Sequence, residues 1–318
     1  MIRFVANLLA NNSLSVFLFH KVPNDACALT PGELTLAGFE KLLDLITAHF
    51  DVVDLASGIA SVRAGTASRP LAAITFDDGY AEWVDGVARV LLRRGLPATF
   101  FITVGQFDGR PMWHERLANI LNRFHGEMLP TVAYRLPNVA VRTPQERVAA
   151  LRTLEFHFKY LPLRLRDEYI AALETDVGAN VHQVPRMTAD DLKTIAGWGF
   201  EIGGHTIDHP ILSLCDSNDA KEEIGRTREI LEGIIRRPVR AFAYPNGRPR
   251  VDYSSRHVEF VKGAGYSCAV STDWGVTRAH TSPYQVPRFT PWGPSRLSMA
   301  YQLMRNMRAP TGTVVEAM

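Results

Sequence analysis

Short apolar runs recur along this 318-residue chain, and stretches with helical periodicity separate them. Several of the runs are almost continuously apolar, which is typical of strands buried on both faces of a sheet. Strands are predicted at 15–22, 50–55, 71–78, 97–103, 200–206, 239–245, 266–272 and 284–289. Helices are predicted at 36–49, 81–94, 188–197 and 220–236. This alternation predicts a parallel α/β architecture, either an open sheet or a barrel.

The helix predicted at 220–236 is amphipathic. Ile224 and Leu231 belong to its apolar stripe, because they recur at helical spacing. Glu223 and Thr227 are expected to face outward.

Residues 108–185 depart from this alternation. They contain no convincing strand, and helices are predicted at 111–124, 144–160 and 163–175. The segment is interpreted as a helical insertion within a single domain that spans 1–318. Two roles remain open for it: it packs on the barrel, or it covers the mouth of the active site and shapes substrate choice.

Charge and cysteine content exclude several classes of protein. The 35 basic and 33 acidic residues leave a net charge of +2, which gives no basic stripe for nucleic acid. Cys27, Cys215 and Cys268 are odd in number and far apart, which argues against a disulfide framework or a thiolate zinc site. No apolar run reaches the roughly 18 residues of a membrane span, so no transmembrane segment is predicted.

The first ten residues, Met1–Ala10, are the one candidate for a secretion signal. Asn7, Asn11 and Asn12 interrupt or follow the apolar stretch, which runs directly into a predicted core strand. The segment is interpreted as part of the mature domain, and a cytoplasmic location is expected.

Two adjacent carboxylates, Asp77 and Asp78, end the strand predicted at 71–78 and precede Gly79. Buried carboxylates need a cation, a hydrogen-bond network or a role in a turn. In parallel α/β folds the carboxyl ends of the strands form the active-site face. The alternative is an ordinary strand-to-helix turn in which one Asp caps the helix.

Two histidines, His205 and His209, follow the next candidate strand end, and Gly203-Gly204 precede them. Histidines four residues apart can bind one metal if the chain takes a helical turn, and the glycines would let the backbone approach a bound ion or ligand. An Asp with two His suits an open, catalytic metal site. Taken alone, this spacing also occurs by chance on protein surfaces.

The third motif is Arg240-Ala241-Phe242-Ala243-Tyr244-Pro245, a strand that ends in a turn. Arg240 is either a solvated residue at a strand start or the ion-pair partner of a carboxylate. The backbone amide of Tyr244 is a candidate oxyanion donor.

Together these motifs resemble the first three motifs of the polysaccharide deacetylases, also called carbohydrate esterase family 4 or the NodB-homology domain. The motifs occur in the family's order, and 17–22 is similar to a Tyr-His-Arg-Val strand of bacterial members. The likeness covers about 15–107 and 186–290. The resemblance implies a distorted (β/α) barrel with fewer than eight full strands.

Carried over to this sequence, the resemblance implies a divalent metal, most commonly zinc, on three ligands: Asp78, His205 and His209. Cobalt, nickel and ferrous iron are alternatives, because this ligand set tolerates all of them. Asp77 would be the general base, and Arg240 would orient it and keep it ionised. Tyr244 would give its backbone amide to the oxyanion hole.

The last two family motifs match less well. Asp273-Trp274 has the letters of the fourth motif, so Trp274 is a predicted substrate-binding residue. The fifth motif normally supplies a catalytic histidine, but the final strand reads Val286-Pro287-Arg288-Phe289. Arg288 is predicted to bind substrate. Its guanidinium stays protonated and cannot usefully act as the acid. His20, at the end of the first strand, is the predicted general acid, and His280 is the alternative.

The resulting hypothesis is a metal-dependent hydrolase that removes the N-acetyl group of an amino sugar in a polysaccharide or a glycan precursor. An N-acetylated glycan is therefore the expected partner. Two alternatives stay open: a hydrolase of another non-peptide amide or of an O-acetyl ester, and an inactive glycan-binding protein.

Overall fold

The computed structural model describes residues 12–30, 33–179, 185–291 and 296–315. The strands are β1 (Leu14–Phe19), β2 (Asp51–Val52), β3 (Leu71–Asp78), β4 (Thr99–Ile102), β5 (Met128–Leu129), β6 (Val139–Ala140), β7 (Glu201–Gly204), β8 (Ala241–Ala243) and β9 (Cys268–Val270). The α-helices are α1 (Leu36–His49), α2 (Leu55–Ala64), α3 (Glu82–Asp85), α4 (Val87–Arg94), α5 (Trp113–Arg123), α6 (Pro144–Lys159), α7 (Leu163–Asp176), α8 (Ala189–Gly197), α9 (Ser217–Ile235), α10 (Ser255–Gly263) and α11 (Arg296–Met307).

The chain divides into two compact units. The first comprises Met1–Asp25, Gly32–Phe107 and Arg186–Met318, and the second comprises Ala26–Pro31 and Asp108–Pro185. The interpretation of the second unit as an insertion within one domain stays a prediction. The N-terminal segment Met1–Ala10 lies outside the described residues, so the expected cytoplasmic location also stays a prediction.

The first unit is built on a parallel sheet in the order β1-β3-β4-β7-β8-β9, with β2 also paired to β3. The predicted strand at 284–289 is instead an irregular segment. Backbone bridges nevertheless join its Val286 to Val270 of β9 and its Phe289 to Phe17 of β1. This segment therefore links the two outer strands of a curled sheet, and the prediction of a distorted (β/α) barrel is confirmed.

Successive side chains of β3 point to opposite faces of the sheet, so they belong to two different apolar cores. Leu71 and Ala73 pack inside the curled sheet, whereas Ala72, Ile74 and Phe76 pack against the helices outside it. Strands with apolar residues on both faces need two buried faces, which explains the continuous apolar runs in the sequence.

The predicted helix at 81–94 is divided at Gly86 into α3 and α4. The helix predicted at 36–49 is confirmed as α1, where the Thr35 side chain accepts a hydrogen bond from the Gly38 amide and so caps the first turn.

The second unit packs α5, α6 and α7 around a leucine-rich core. Its three predicted helices are confirmed to within about two residues at each end. The prediction that this segment lacks strands is wrong, because β5 and β6 form a short antiparallel pair. None of the helices in the described part of the chain combines the length and the hydrophobicity needed to cross a bilayer.

Candidate metal and catalytic site

Asp77 lies at the carboxyl end of β3 and forms a bidentate ion pair with the buried Arg288. Arg288 donates from Nη1 to Asp77 Oδ1 (2.7 Å) and from Nη2 to Asp77 Oδ2 (2.6 Å). The same guanidinium donates from Nε to the Ser271 carbonyl oxygen (2.8 Å) and from Nη1 to Thr75 Oγ1 (3.3 Å). The two parallel hydrogen bonds from Arg288 to Asp77 fix the orientation of the carboxylate plane, because a guanidinium and a carboxylate match in geometry.

The structure thus corrects two predicted roles. Arg288 is buried on Asp77, so the prediction that it binds substrate is wrong. Arg240 is exposed and immediately precedes β8, where its charge acts on Glu201 at the start of β7. Since β7 and β8 are parallel, Arg240 lies at the amino end of the sheet. The catalytic side chains lie at the carboxyl end, roughly 13 Å away at about 3.3 Å per residue.

Asp78, His205 and His209 form the predicted metal cluster. The Nε2 atoms of His205 and His209 lie 3.5 Å and 3.6 Å from Asp78 Oδ1, and the three ligand atoms all lie within 4.8 Å of one another. Zinc bonds of about 2.0–2.1 Å place neighbouring tetrahedral ligands roughly 3.3 Å apart. Asp78 Oδ1 is buried and has no hydrogen-bond partner among the described residues. The donor set and its spacing fit a divalent cation.

Neighbouring groups orient two of these ligands. His205 Nδ1 lies 2.8 Å from the Ala243 carbonyl oxygen, which can only accept, so Nδ1 carries the proton and Nε2 has its lone pair toward the cluster. The Tyr80 hydroxyl donates to Asp78 Oδ2 (3.1 Å), which leaves Oδ1 facing the two imidazoles. Sequence reasoning did not identify Tyr80, although it stands two residues after Asp78 in the same motif.

The carboxylates remain ionised in spite of their burial. Burial by itself would raise the pKa of Asp77, but the Arg288 guanidinium and then His205 outweigh it and hold the pKa below its usual value. Burial likewise opposes ionisation of Asp78, whose pKa nevertheless lies well below the usual value because the neighbouring imidazoles of His205, His20 and His209 favour its charged form. The pKa of His205 is raised: burial would lower it, but Asp77 and Asp78 dominate. Two ionised carboxylates beside the imidazoles favour a bound positive charge at this site.

The backbone around the ligands adopts conformations that are rare for residues with side chains. The φ angles of Asp78, Thr206 and His209 are +94°, +66° and +52°. Such conformations cluster at functional sites. The predicted purpose of Gly203 and Gly204 is wrong, however. A Cβ at Gly203 would lie 2.3 Å from the Phe101 ring and one at Gly204 would lie 2.3 Å from the Tyr266 hydroxyl, so both glycines accommodate neighbouring side chains.

Tyr244 does not have the predicted oxyanion role. Its backbone amide donates to the Val270 carbonyl oxygen (3.2 Å) and so extends the pairing of β8 with β9. Its ring is fully buried and stacks on Tyr253 with centroids 3.9 Å apart. Pro245 has no N–H, so the next donor along this turn is the amide of Asn246.

His20 is exposed and directly follows β1, whose last residue, Phe19, pairs with Phe76 of β3. It is close enough for its charge to lower the pKa of both Asp77 and Asp78. His280 stands three residues after Thr277, which pairs with Leu14 at the amino end of β1. The alternative acid therefore belongs to the opposite end of the strand.

Trp274 is half-buried and stacks on Phe289, with ring centroids 6.1 Å apart. The Arg305 guanidinium lies 4.0 Å from the centroid of its ring. Substrate binding by Trp274 stays a prediction.

Glu223 and Thr227 of α9 do not face outward as predicted. Thr227 is fully buried, and its hydroxyl donates to the Glu223 carbonyl oxygen (2.8 Å) within the helix. The Glu223 carboxylate instead accepts from the amides of Ile207 and Asp208, between the two histidines. A helical wheel could not show this contact, because it depends on the path of a loop.

A family model for polysaccharide deacetylases matches residues 64–128 and 169–269, which is more than half of the chain. The chain belongs to the polysaccharide deacetylase family. The curated relative YxkH of Bacillus subtilis (strain 168), named after the same family, is 22% identical over 112 residues. That match covers 35% of this chain and 39% of YxkH, so less than half of either protein is aligned.

Solved structures support the fold over nearly the whole chain. The Streptococcus pyogenes deacetylase PplD in complex with acetate superposes with a TM-score of 0.60 at 13% identity, covering 93% of this chain and 98% of PplD. IcaB from Ammonifex degensii gives a TM-score of 0.58 at 18% identity, covering 93% and 97%. The BpsB deacetylase domain from Bordetella bronchiseptica gives 0.52 at 14% identity, covering 88% and 96%. At these identities the likeness concerns the fold.

Proposed function

We propose that this deacetylase-family protein is a metal-dependent hydrolase of the N-acetyl group of an amino sugar in a glycan. The observation that carries the proposal is the pairing of two sites one residue apart. Asp78 shares a cluster with two imidazoles, while Asp77 beside it is buried, ionised and oriented by Arg288. One carboxylate is built to hold a cation and the other to accept a proton.

Asp78, His205 and His209 would hold the cation. A divalent ion bound there lowers the pKa of a coordinated water and polarises a substrate carbonyl. The protein ligands number three, which leaves positions open for water and substrate, as in catalytic rather than structural zinc sites. Zinc is the expected ion, and cobalt, nickel and ferrous iron suit the same ligands.

Asp77 would take the proton of the attacking water. The two hydrogen bonds from Arg288 use one lone pair on each carboxylate oxygen of Asp77, so both oxygens can accept a further hydrogen bond. Asp77 Oδ2 lies 3.8 Å from His205 Nε2, so the base is next to the metal cluster. Water oxygen bonds to the acetyl carbon while its proton moves to Asp77.

His20 would donate the proton that lets the amine leave. As the C–N bond breaks, the sugar nitrogen takes a proton from the imidazolium and the products are acetate and a free amine. The Trp83 indole donates from Nε1 to the His20 carbonyl oxygen (3.0 Å), and Glu82 Oε1 accepts from the Val22 amide (2.8 Å). Helix α3 therefore fixes the backbone on which His20 stands.

The oxyanion donor is assigned to the turn after β8. Because the Tyr244 amide is already paired and Pro245 has none, the amide of Asn246 is the next candidate. The half-buried Asn246 has a φ of +58°, and its carbonyl oxygen accepts from the Thr272 hydroxyl, which holds this turn against the end of β9.

The proposal is tested by acetate release from N-acetylglucosamine oligomers with metal-free protein, verified by elemental analysis, before and after zinc is added. Activity is expected with zinc and not without it. Full activity of the metal-free protein would overturn the metal-dependent mechanism. Release from O-acetyl esters but never from N-acetyl sugars would favour an esterase, and glycan binding without any release would favour an inactive binding protein.

A further inference from the structure

The loop between the two histidine ligands is held on one side by the turn that follows β4. The Val104 amide donates to the Thr206 carbonyl oxygen (3.2 Å), and the Gly105 amide donates to the Ile207 carbonyl oxygen (2.9 Å). The approach is close, since a Cβ on Gly105 would lie only 2.7 Å from the Ile207 oxygen. This contact satisfies the carbonyl groups of the loop but not its amides.

The amides of the same loop are bound from the other side by Glu223 of α9. Glu223 Oε2 accepts from the Ile207 amide (2.7 Å) and from the Asp208 amide (3.1 Å). The Glu223 side chain is half-buried, and burial raises its pKa to about 7 although the two amides favour its charged form. One carboxylate oxygen of a half-buried side chain therefore receives two backbone N–H groups.

The loop needs such a partner because it is bent sharply. Thr206 and His209 both have positive φ angles, +66° and +52°, that residues with side chains rarely adopt. The Thr206 hydroxyl also accepts from the His209 amide (3.1 Å), so the bend brings the second ligand back toward the first. Without an acceptor for the intervening amides, the loop would rearrange to pair them elsewhere.

We infer that Glu223 is a positioning residue for the metal site, which sets where His209 stands relative to His205. The carboxylate binds the amide of Asp208, the residue directly before His209, and its helix packs against the sheet that carries His205. Through these two hydrogen bonds it acts on the backbone of the loop. The inference rests on the proposed metal-dependent function.

The test compares Glu223→Ala, Glu223→Gln and the control Glu222→Ala, which removes an exposed carboxylate from the adjacent position of the same helix. Zinc affinity is measured by competition with a chromophoric chelator, and folding by circular dichroism. We expect about 10- to 100-fold weaker zinc binding in Glu223→Ala, as for other groups that orient metal ligands. Glu223→Gln should stay within about 3-fold of wild type, because its amide oxygen accepts the same two N–H groups.

Acetate release at saturating zinc separates positioning from binding of substrate. Glu223→Ala should lower kcat with little change in KM, whereas Glu222→Ala should change neither. If Glu223→Ala fails to fold, Glu223→Asp replaces it: the shorter side chain cannot reach both amides, and about 3- to 10-fold weaker zinc binding is expected.

The outcomes distinguish this inference from the proposed function. Wild-type zinc affinity in folded Glu223→Ala, or in Glu223→Asp, would overturn the inference and leave the metal-dependent mechanism intact. If Glu223→Gln lost as much zinc affinity as Glu223→Ala, the inference would also be overturned. A side chain that still accepts from both amides would then fail to preserve the site. A wild-type protein that binds no zinc and still deacetylates would overturn the proposed function itself.

Discussion

Arg288 and Asp77 form a bidentate ion pair inside the curled sheet, although 211 residues separate them in the chain. Arg288 lies on the segment that joins β9 to β1, so the same backbone pairing that closes the sheet also brings the arginine to Asp77. The side chains of both residues are almost completely buried. Folding of the barrel and orientation of the proposed base are therefore coupled through one contact.

Replacement of Arg288 by Met should destabilise the protein strongly. It leaves the Asp77 carboxylate buried without its cation, and breaking such pairs costs about 3–5 kcal/mol. The double variant Asp77→Asn/Arg288→Met should be destabilised by less than the sum of the two single changes. Urea unfolding of wild type, the two single variants and the double variant measures the coupling between Asp77 and Arg288.

The exposed Arg226–Glu229 pair serves as a control, for which Arg226→Ala should cost at most about 1 kcal/mol. Additive effects at Asp77 and Arg288 would contradict the coupling.

The adjacent carboxylates should respond differently to the same substitution. Asp77→Asn keeps the size of the side chain but cannot accept the proton, so zinc should stay bound while kcat falls by about two to four orders of magnitude. Asp78→Asn should weaken zinc binding, because a metal-ligand carboxylate is lost. Elemental analysis after gel filtration and acetate release measure the two effects. Loss of zinc from Asp77→Asn and retention in Asp78→Asn would exchange the two roles.

The positions of Asp77, Asp78, His205 and His209 were predictable because the two carboxylates end one apolar strand and the two histidines come soon after another. Parallel strands bring their carboxyl ends to one edge, so short local patterns were enough to expect these residues near one another. The resemblance to the deacetylases was needed to assign Asp78, His205 and His209 as metal ligands. The order of the strands, β1-β3-β4-β7-β8-β9, follows the order of the chain apart from β2. The architecture of such a sheet follows largely from the alternation of strands with helices and from the burial of apolar strands on both faces.

The arginine partner of Asp77 was not predictable by the same reasoning. Arg240 and Arg288 both accompany apolar strand-like runs, and the choice depends on which end of the sheet each one reaches. Arg240 precedes its strand, whereas Arg288 comes late in a segment that runs toward the site. Only the three-dimensional register separates them, and the contact of Glu223 with a loop was hidden for the same reason.

The stability of the fold should decrease in acid partly because of His257, a buried residue of α10. Burial and the neighbouring Arg256 guanidinium lower the pKa of His257 to about 4, against about 6.5 in the unfolded chain. Between these values the unfolded chain binds more protons, so the free energy of unfolding falls as the pH is lowered. Above about pH 6.5 the contribution is complete.

His257→Gln should reduce this pH dependence. His257 Nδ1 accepts from the Ser254 amide (2.9 Å) at the start of α10, and glutamine can accept in the same capping arrangement without titrating. Urea unfolding at pH 5 and pH 7.5 should show a smaller loss for the variant than for wild type. His280→Gln, which removes an exposed histidine, is the control and should match wild type. An unchanged difference between the two pH values in His257→Gln would assign the acid sensitivity to other groups.

His20→Ala should impair hydrolysis of an amide far more than hydrolysis of an activated ester. An amine leaves only after its nitrogen is protonated, whereas a good alkoxide or phenoxide leaving group departs without an acid. Histidine is the side chain that enzymes most often use for such proton transfer. We expect kcat on an N-acetyl sugar to fall by about two to four orders of magnitude, and activity on 4-nitrophenyl acetate to change by less than about 5-fold.

Two further measurements isolate the proton donor. The zinc content of His20→Ala should equal that of wild type, because His20 is not a member of the cluster of Asp78, His205 and His209. His280→Ala should retain full amide activity, since its segment pairs with the opposite end of β1. Equal losses on amide and ester would point to a role of His20 in binding rather than in protonation. An active His20→Ala together with an inactive His280→Ala would transfer the acid to His280, in spite of its place at the amino end of the strand.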